Sequence, residues 1–253
     1  MVNISSADFK FQNIDGVLID KDGTLTDSHI YWCELIRIRT SKILEKYKID
    51  SKFSNQIAES MGLDVKKNKL LSKGPIAIKS RNEVIVNIIK FLDSISIETS
   101  QEELIKLFVD ANNIFRSISY DFVKPINSAI NFVEKLKSCR IKIALITSDS
   151  SENAYNAMKK IGIEDAFDLY LGGDSNVGNK KTGKPAIYAC KKLGLIPNNV
   201  IAIGDAEMDF DMAFNAGLQG SILVSTGQNT IKELKKINST SITSLDYLSV
   251  TSK

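Results

Sequence analysis

Apolar residues are distributed differently in the two parts of this chain. Short runs rich in Ile, Val and Leu lie at Gly16 to Asp20, Ile141 to Thr147, Phe167 to Leu171, Val200 to Gly204 and Ser221 to Val224. Their length and content are those of strands covered on both faces. Helix-length segments separate most of them: Asn127 to Ser138 places Ile130, Phe132, Val133 and Leu136 near helical spacing, and Pro185 to Leu193 and Met208 to Ala216 do the same. Repeated strand and helix units predict an α/β fold with an open parallel sheet covered by helices. From about Ser28 to Phe122 no run reads as a buried strand. Two S-x-x-E capping boxes, Ser80 with Glu83 and Ser100 with Glu103, precede apolar-periodic stretches there. The expected organisation is a sheet domain made of 1–27 and 123–253, interrupted by a helical insertion at 28–122.

Composition excludes several classes. With 253 residues, 43% hydrophobic and 25% charged, the chain has ordinary globular content and no signature of disorder. A formal charge of +3 is too small to make nucleic acid or an anionic membrane the expected partner. Cys33, Cys139 and Cys190 make no metal or disulfide spacing and read as reduced thiols. No stretch approaches the roughly 18 apolar residues of a membrane span, and Met1 to Asn13 holds no apolar leader core. The expectation is a cytoplasmic protein that is not exported.

Three strand runs end on a polar residue: GVLID at Asp20, IALIT at Thr147 and IAIGD at Asp205. Ligands of open α/β sheets bind at the carboxyl ends of the strands, so these side chains are expected to converge. Asp20 at its strand end can act as a nucleophile toward phosphorus, and Asp22 can protonate a leaving oxygen and later take a proton from water. Gly23 supplies a tight turn through which backbone N–H groups can approach a phosphate. Asp205 and Asp209, four residues apart on the expected first turn of a helix, offer oxygen ligands that suit Mg²⁺. In the run Lys180-Lys181-Thr182-Gly183-Lys184, Lys184 before Pro185 is the expected cation that neutralises phosphate.

The ordered set Asp20-x-Asp22-Gly-Thr, the strand ending at Thr147, Lys184-Pro185 and Gly204-Asp205-x-x-x-Asp209 resembles the four motifs of the haloacid-dehalogenase-like hydrolase superfamily. The helical insertion resembles the C1-type cap of its phosphoglycolate phosphatase and β-phosphoglucomutase branch. The resemblance implies a Rossmann-like core and Mg²⁺-dependent hydrolysis of a phosphomonoester through an aspartyl-phosphate on Asp20. It further implies that Asp22 is the acid and base, and that Thr147, the Ser148 backbone and Lys184 hold the phosphoryl oxygens. The metal would be held by Asp20, the Asp22 carbonyl and Asp205, with Asp209 orienting its shell. The chain departs from the usual pattern in two places: Lys21 replaces a bulky apolar residue, and the second motif continues Thr147-Ser148-Asp149 where Thr-Asn is more familiar, so that Asp149 adds negative charge near the expected phosphate.

The implied substrate is a small phosphorylated metabolite of the phosphoglycolate or sugar phosphate class. A phosphomutase of the same fold and a non-catalytic phosphate-binding or interaction module are the alternatives. Between Met61 and Asn82 six basic residues face the single acid Asp64, so the positive excess of the chain sits in the insertion. Lys73, Lys79 and Arg81 are the candidates for reading a second anionic group. His29, the sole histidine, is a further candidate at the entry to the insertion, and Tyr31 and Trp32 are expected to pack within it. Oligomeric state is not legible.

Overall fold

A computed structural model describes residues 1–71, 74–78 and 81–252, with the backbone alone described at 77, 78 and 81. The chain begins with strands β1 (Val2–Ser5), β2 (Lys10–Ile14) and β3 (Gly16–Ile19). Helices α1 (Ser28–Tyr47) and α2 (Ser54–Ser60), strands β4 (Leu63–Asp64) and β5 (Lys69–Leu70), and helices α3 (Pro75–Ile78), α4 (Arg81–Ser94) and α5 (Gln101–Ile118) follow. The chain then alternates through α6 (Asn127–Ser138), β6 (Lys142–Ile146), α7 (Ser151–Lys160), β7 (Leu169–Leu171), α8 (Lys184–Leu193), β8 (Val200–Gly204), α9 (Glu207–Asn215) and β9 (Gly220–Val224). It ends with α10 (Ile231–Ile237), β10 (Ser241–Ile242) and β11 (Ser249–Ser252). Internal contacts divide it into two units, Met1–Asp27 with Lys124–Lys253, and Ser28–Val123.

The first unit holds a six-stranded sheet in the order β10-β9-β8-β3-β6-β7, every neighbouring pair parallel. The runs are continuous rather than alternating because both faces are covered: all four residues of β3 and all five of β8 are buried. In register, Ile19 lies level with Leu145 on one side and Ile203 on the other. β3 ends there, whereas β6 and β8 run one residue further to Ile146 and Gly204, so Asp20, Thr147 and Asp205 follow their strands at the same end of the sheet, where Asp20 N–H still donates to the Ile203 carbonyl at 2.9 Å. A helix stops cleanly where its sequence lets it: α8 carries Pro185 in its first turn and ends at Gly194, whose φ of 68° suits the left-handed cap.

A second, antiparallel sheet of order β11-β1-β2 joins the two chain ends and was not expected from the sequence. Its signal is the period-2 pattern of β1, where Val2 and Ile4 are buried and Asn3 and Ser5 are partly exposed. Where the chain leaves and re-enters this unit, its two passages are tied together. Asp27 N–H donates to Lys124 O and Ile126 N–H to Leu25 O, both at 2.9 Å.

The second unit is helical, with the short antiparallel β4/β5 hairpin as an addition to the expectation. Its core gathers Cys33, Ile36, Ile43, Ile57, Met61, Ile85, Ile88, Leu92, Leu104 and Phe108. Ser100 and Glu103 form the reciprocal capping box at the start of α5; Ser80 of the other expected box lies outside the described residues. Tyr31 packs edge-on against Phe115 and Trp32, and Trp32 lies against the core. None of the described helices is long and apolar enough to cross a membrane.

Candidate active site

The strand ends of the sheet unit bring together residues far apart in sequence. Carboxylate oxygens of Asp20, Asp205 and Asp209 lie within 4.8 Å of one another, and all three residues are buried. Their cation is Lys180, 160 residues from Asp20: its Nζ donates to Asp20 Oδ1 and, at 2.8 Å, to Asp209 Oδ1. The expectation placed Lys184 here. Lys184 is instead exposed at the start of α8, while the 3₁₀ turn Lys180–Thr182 carries Lys180 inward at 6% exposure. The turn holds this position through Gly183, which has φ 71° and packs so closely on α9 that an added Cβ would lie 2.7 Å from the Ala216 nitrogen. Among several similar lysines, packing selected the one that meets buried carboxylates.

Asp209 is used on both oxygens, since its Oδ2 accepts the Ala206 N–H at 3.2 Å and so closes the first turn of α9. Asp205 Oδ2 accepts the Gln228 N–H at 3.4 Å, and its carbonyl accepts the Asn229 side chain at 3.1 Å. Sequence reasoning missed this loop after β9, which has no acidic or basic residue to draw attention. It is pressed against the site: the Thr226 hydroxyl donates to Gly23 O at 2.6 Å, and a Cβ on Gly227 would sit 1.7 Å from Asp205 Oδ2. Gly23 itself has φ 86° and would bring a Cβ within 2.4 Å of the same oxygen, so no other residue fits that turn unaltered.

Burial raises Asp20 above the ordinary carboxylate value, Lys180 pulls it back, and Asp209 adds repulsion; the net direction is upward. Burial also raises Asp205 well above that value, with repulsion from Asp20 and Asp209 next. For Lys180 burial opposes the charge, but Asp20 and Asp209 outweigh it, and the ammonium is held charged. Three buried carboxylates around one lysine are an electrostatically unfinished set. A set of this kind could hold a divalent cation that prefers oxygen, and among the described residues Asp20 and Asp205 would offer it the oxygens with fewest protein partners.

Asp22 is partly exposed and held on both oxygens, by Lys21 Nζ at 3.1 Å on Oδ2 and by the Thr26 hydroxyl at 3.4 Å on Oδ1. Its carboxyl is raised by burial, lowered by Lys21 and raised again by Asp20, for a net upward direction. Asp149 is not an unmatched charge near the site, because Lys21 pairs with it at 3.0 Å. Thr147 is buried, and its hydroxyl accepts the Asp149 N–H at 3.1 Å, which leaves its proton to donate. Ser148 beside it is exposed. A cavity of about 510 Å³ opens next to these groups, lined by Thr147, Ser148, Gly172, Asn176, Asn179 and Lys180 among others.

The insertion candidates fare differently. His29 is buried within the helical unit, where its Nδ1 accepts the Leu70 N–H at 3.1 Å and ties the first turn of α1 to the hairpin. Lys73 and Lys79 lie outside the described residues, and Arg81 opens α4 with only its backbone described. Lys66, Lys67 and Lys69 are exposed on the hairpin, as solvated charges are expected to be.

A parallel Rossmann-like sheet whose central strand β3 leads into Asp20, with Asp205 at the end of neighbouring β8, Asp209 on the first turn of α9 and Lys180 from a 3₁₀ turn, defines the class of protein. Residues 14–217 match the haloacid dehalogenase-like hydrolase family, and the chain belongs to it. A candidate pyrophosphatase (PpaX) of Clostridium perfringens is 34% identical over 85 residues, which are 34% of this chain and 40% of that one. A phosphoglycolate phosphatase of Neisseria meningitidis is 32% identical over 120 residues, 47% of this chain and 51% of that one. The chain thus spans about half, or less, of the length of these curated relatives. Among solved structures, β-phosphoglucomutase of Clostridium difficile superposes with a TM-score of 0.56 at 25% identity, covering 92% of each chain. The phosphoglycolate phosphatase and β-phosphoglucomutase branch expected from the motifs is represented among these similarities.

Proposed function

We propose that this protein is a phosphomonoester hydrolase acting on a small phosphorylated metabolite of the phosphoglycolate or sugar phosphate class. The observation that supports it most is the meeting of Asp20 and Asp205, at the ends of adjacent parallel strands, with Asp209 of α9 and Lys180 of the 3₁₀ turn, beside Thr147 and an open cavity. In this reading an Asp20 carboxylate oxygen attacks phosphorus in line, and the P–O bond to the leaving group breaks as Asp22 gives that oxygen a proton. Water then attacks the phosphorus of the aspartyl-phosphate as Asp22 takes a proton from that water, and the Asp20–phosphorus bond breaks to free Asp20 and inorganic phosphate. The Thr147 hydroxyl, the Ser148 N–H and Lys180 hold the phosphoryl oxygens. Asp209 positions Lys180 rather than acting on the substrate, because each of its oxygens already has a protein partner. Asp20, Asp205 and the Asp22 carbonyl would hold Mg²⁺, which when bound would supply charge neutralisation at the transferring group.

A second reading, transfer of the phosphoryl group back onto a sugar phosphate, draws on the likeness to β-phosphoglucomutase. One experiment addresses both. Phosphate release is measured with and without Mg²⁺ across a panel of phosphorylated metabolites and inorganic pyrophosphate, with Asp20→Asn as control. Phosphate release that requires Mg²⁺ and Asp20 is expected; activity surviving in Asp20→Asn refutes the nucleophile, and isomerisation without net phosphate release selects the mutase.

A further inference from the structure

Lys21 and Asp149 belong to the two places where the chain departs from the family pattern, and they touch each other although they are 128 residues apart. Lys21 is almost fully enclosed, at 6% side-chain exposure, between two carboxylates: Asp149 at 3.0 Å and Asp22 at 3.1 Å. Asp149 is a fixed anchor. Its Oδ1 accepts the Ser150 N–H at 2.7 Å and the Asn153 side chain at 2.9 Å, both at the start of α7, and its Oδ2 is the oxygen that takes Lys21. Burial works against its charge, yet Lys21 and the Asn153 hydrogen bond hold the carboxyl below its usual value. The backbone of Lys21 is fixed too, because its carbonyl accepts the N–H groups of Leu25 at 2.9 Å and Thr26 at 3.0 Å.

We infer that Lys21, anchored by Asp149, is a positioning residue for Asp22, holding Oδ2 so that Oδ1 faces the proton transfer. This rests on the reading of Asp22 as the acid and base given above. A long lysine spanning a rigid anchor and a partly exposed carboxylate removes rotamer freedom from that carboxylate. Among the described residues the other side-chain contact to Asp22 is the Thr26 hydroxyl at 3.4 Å on Oδ1, a weak one that the same hydroxyl shares with the Lys21 carbonyl at 3.3 Å and that can yield when the proton moves. A lysine here does what an apolar residue at this position has no group to do.

A group that acts through proton transfer to the leaving oxygen matters most for poor leaving groups. The test compares kcat and KM on an alkyl phosphate and on p-nitrophenyl phosphate, with Mg²⁺, for Lys21→Met, Lys21→Arg, Asp149→Asn and Asp22→Asn. Lys21→Met is expected to lower kcat on the alkyl ester about 10- to 100-fold and on the aryl ester by less than about 3-fold, with KM unchanged. Lys21→Arg should restore part of the loss, and Asp149→Asn should show the same selectivity at smaller size. An equal loss on both esters, or a rise in KM with kcat intact, overturns the inference. If Lys21→Met fails to fold, Asp149→Asn decides by the same criterion. Asp22→Asn separates the two ideas: if it lacks leaving-group selectivity, the acid and base reading fails, whereas selectivity in Asp22→Asn without it in the Lys21 and Asp149 variants rejects the positioning role alone.

Discussion

Replacing Lys180 by methionine leaves the Asp20 and Asp209 oxygens that it bridges facing each other in a buried site without a cation. Removing one partner of a buried ion pair typically costs about 3–5 kcal/mol. The chain limits the loss by protonating a carboxylate: bringing a group with an ordinary value of 3.8 to neutrality at pH 7 costs about 1.4 kcal/mol per unit, or about 4 kcal/mol. The two routes agree. In metal-free protein, Lys180→Met should therefore lose about 4 kcal/mol by urea denaturation at pH 7, equivalent to a melting temperature lower by roughly 8–16 °C. The difference from wild type should narrow as the pH falls toward 4, where the orphaned carboxylates take up protons at little cost. It should persist on the alkaline side: the pKa of Lys180 is raised on folding, so its contribution is complete below the unfolded value of 10.5 and fades only above it. Lys184→Met, at an exposed helix start, should stay within about 0.5 kcal/mol of wild type and keep its activity. The reverse outcome, an inactive Lys184→Met beside a stable and active Lys180→Met, would refute the assignment.

Other outcomes follow from the same geometry. Gly227→Ala forces a Cβ to 1.7 Å from Asp205 Oδ2 unless something moves, so phosphate release should fall and stability should drop by about 1–3 kcal/mol; wild-type activity in this variant would remove the loop from the site. Asp20 and Asp205 are raised on folding, so in metal-free protein these two carboxyls bind protons more tightly folded than unfolded and their own contribution to stability grows as the pH falls toward 3.8. Mg²⁺ held at these carboxylates, as proposed, would compete with those protons. Its stabilisation, about 2.7 kcal/mol at a hundredfold excess over Kd, should appear at about pH 8 and shrink at about pH 5.5 in thermal melts; equal shifts at both would count against binding at these carboxylates.

Much of the fold is legible because its signals are local. The continuous apolar runs of β3, β6, β8 and β9 and the helical segments between successive runs require both faces of the sheet to be covered, whatever the rest of the chain does. The terminal strands were harder, since β1 and β11 pair with register partners at opposite ends of the chain and are only 4 residues long. Asp20, Thr147 and Asp205 could be found because each immediately follows a strand run, and strand ends in a parallel sheet share one edge. The β9 loop could not, since its part is played by the closeness of Gly227 and the backbone N–H of Gln228 rather than by a reactive side chain.

Chemical types and their order are properties of the sequence: an aspartate and its neighbour two residues on, a polar strand end, a lysine-rich run, a second acidic pair. Which lysine serves is not. Lys180 and Lys184 are the same side chain in the same run, and neither has a local feature that brings it to Asp20. The tertiary structure decides, by turning Gly183 against α9 so that Lys180 is buried among carboxylates and Lys184 is left in water. Lys21 and Asp149 make the same point from the other side. Each looks like an unmatched charge in its own motif, and only the pairing of β3 with β6 places them 3.0 Å apart, where the desolvation of one is offset by the charge of the other.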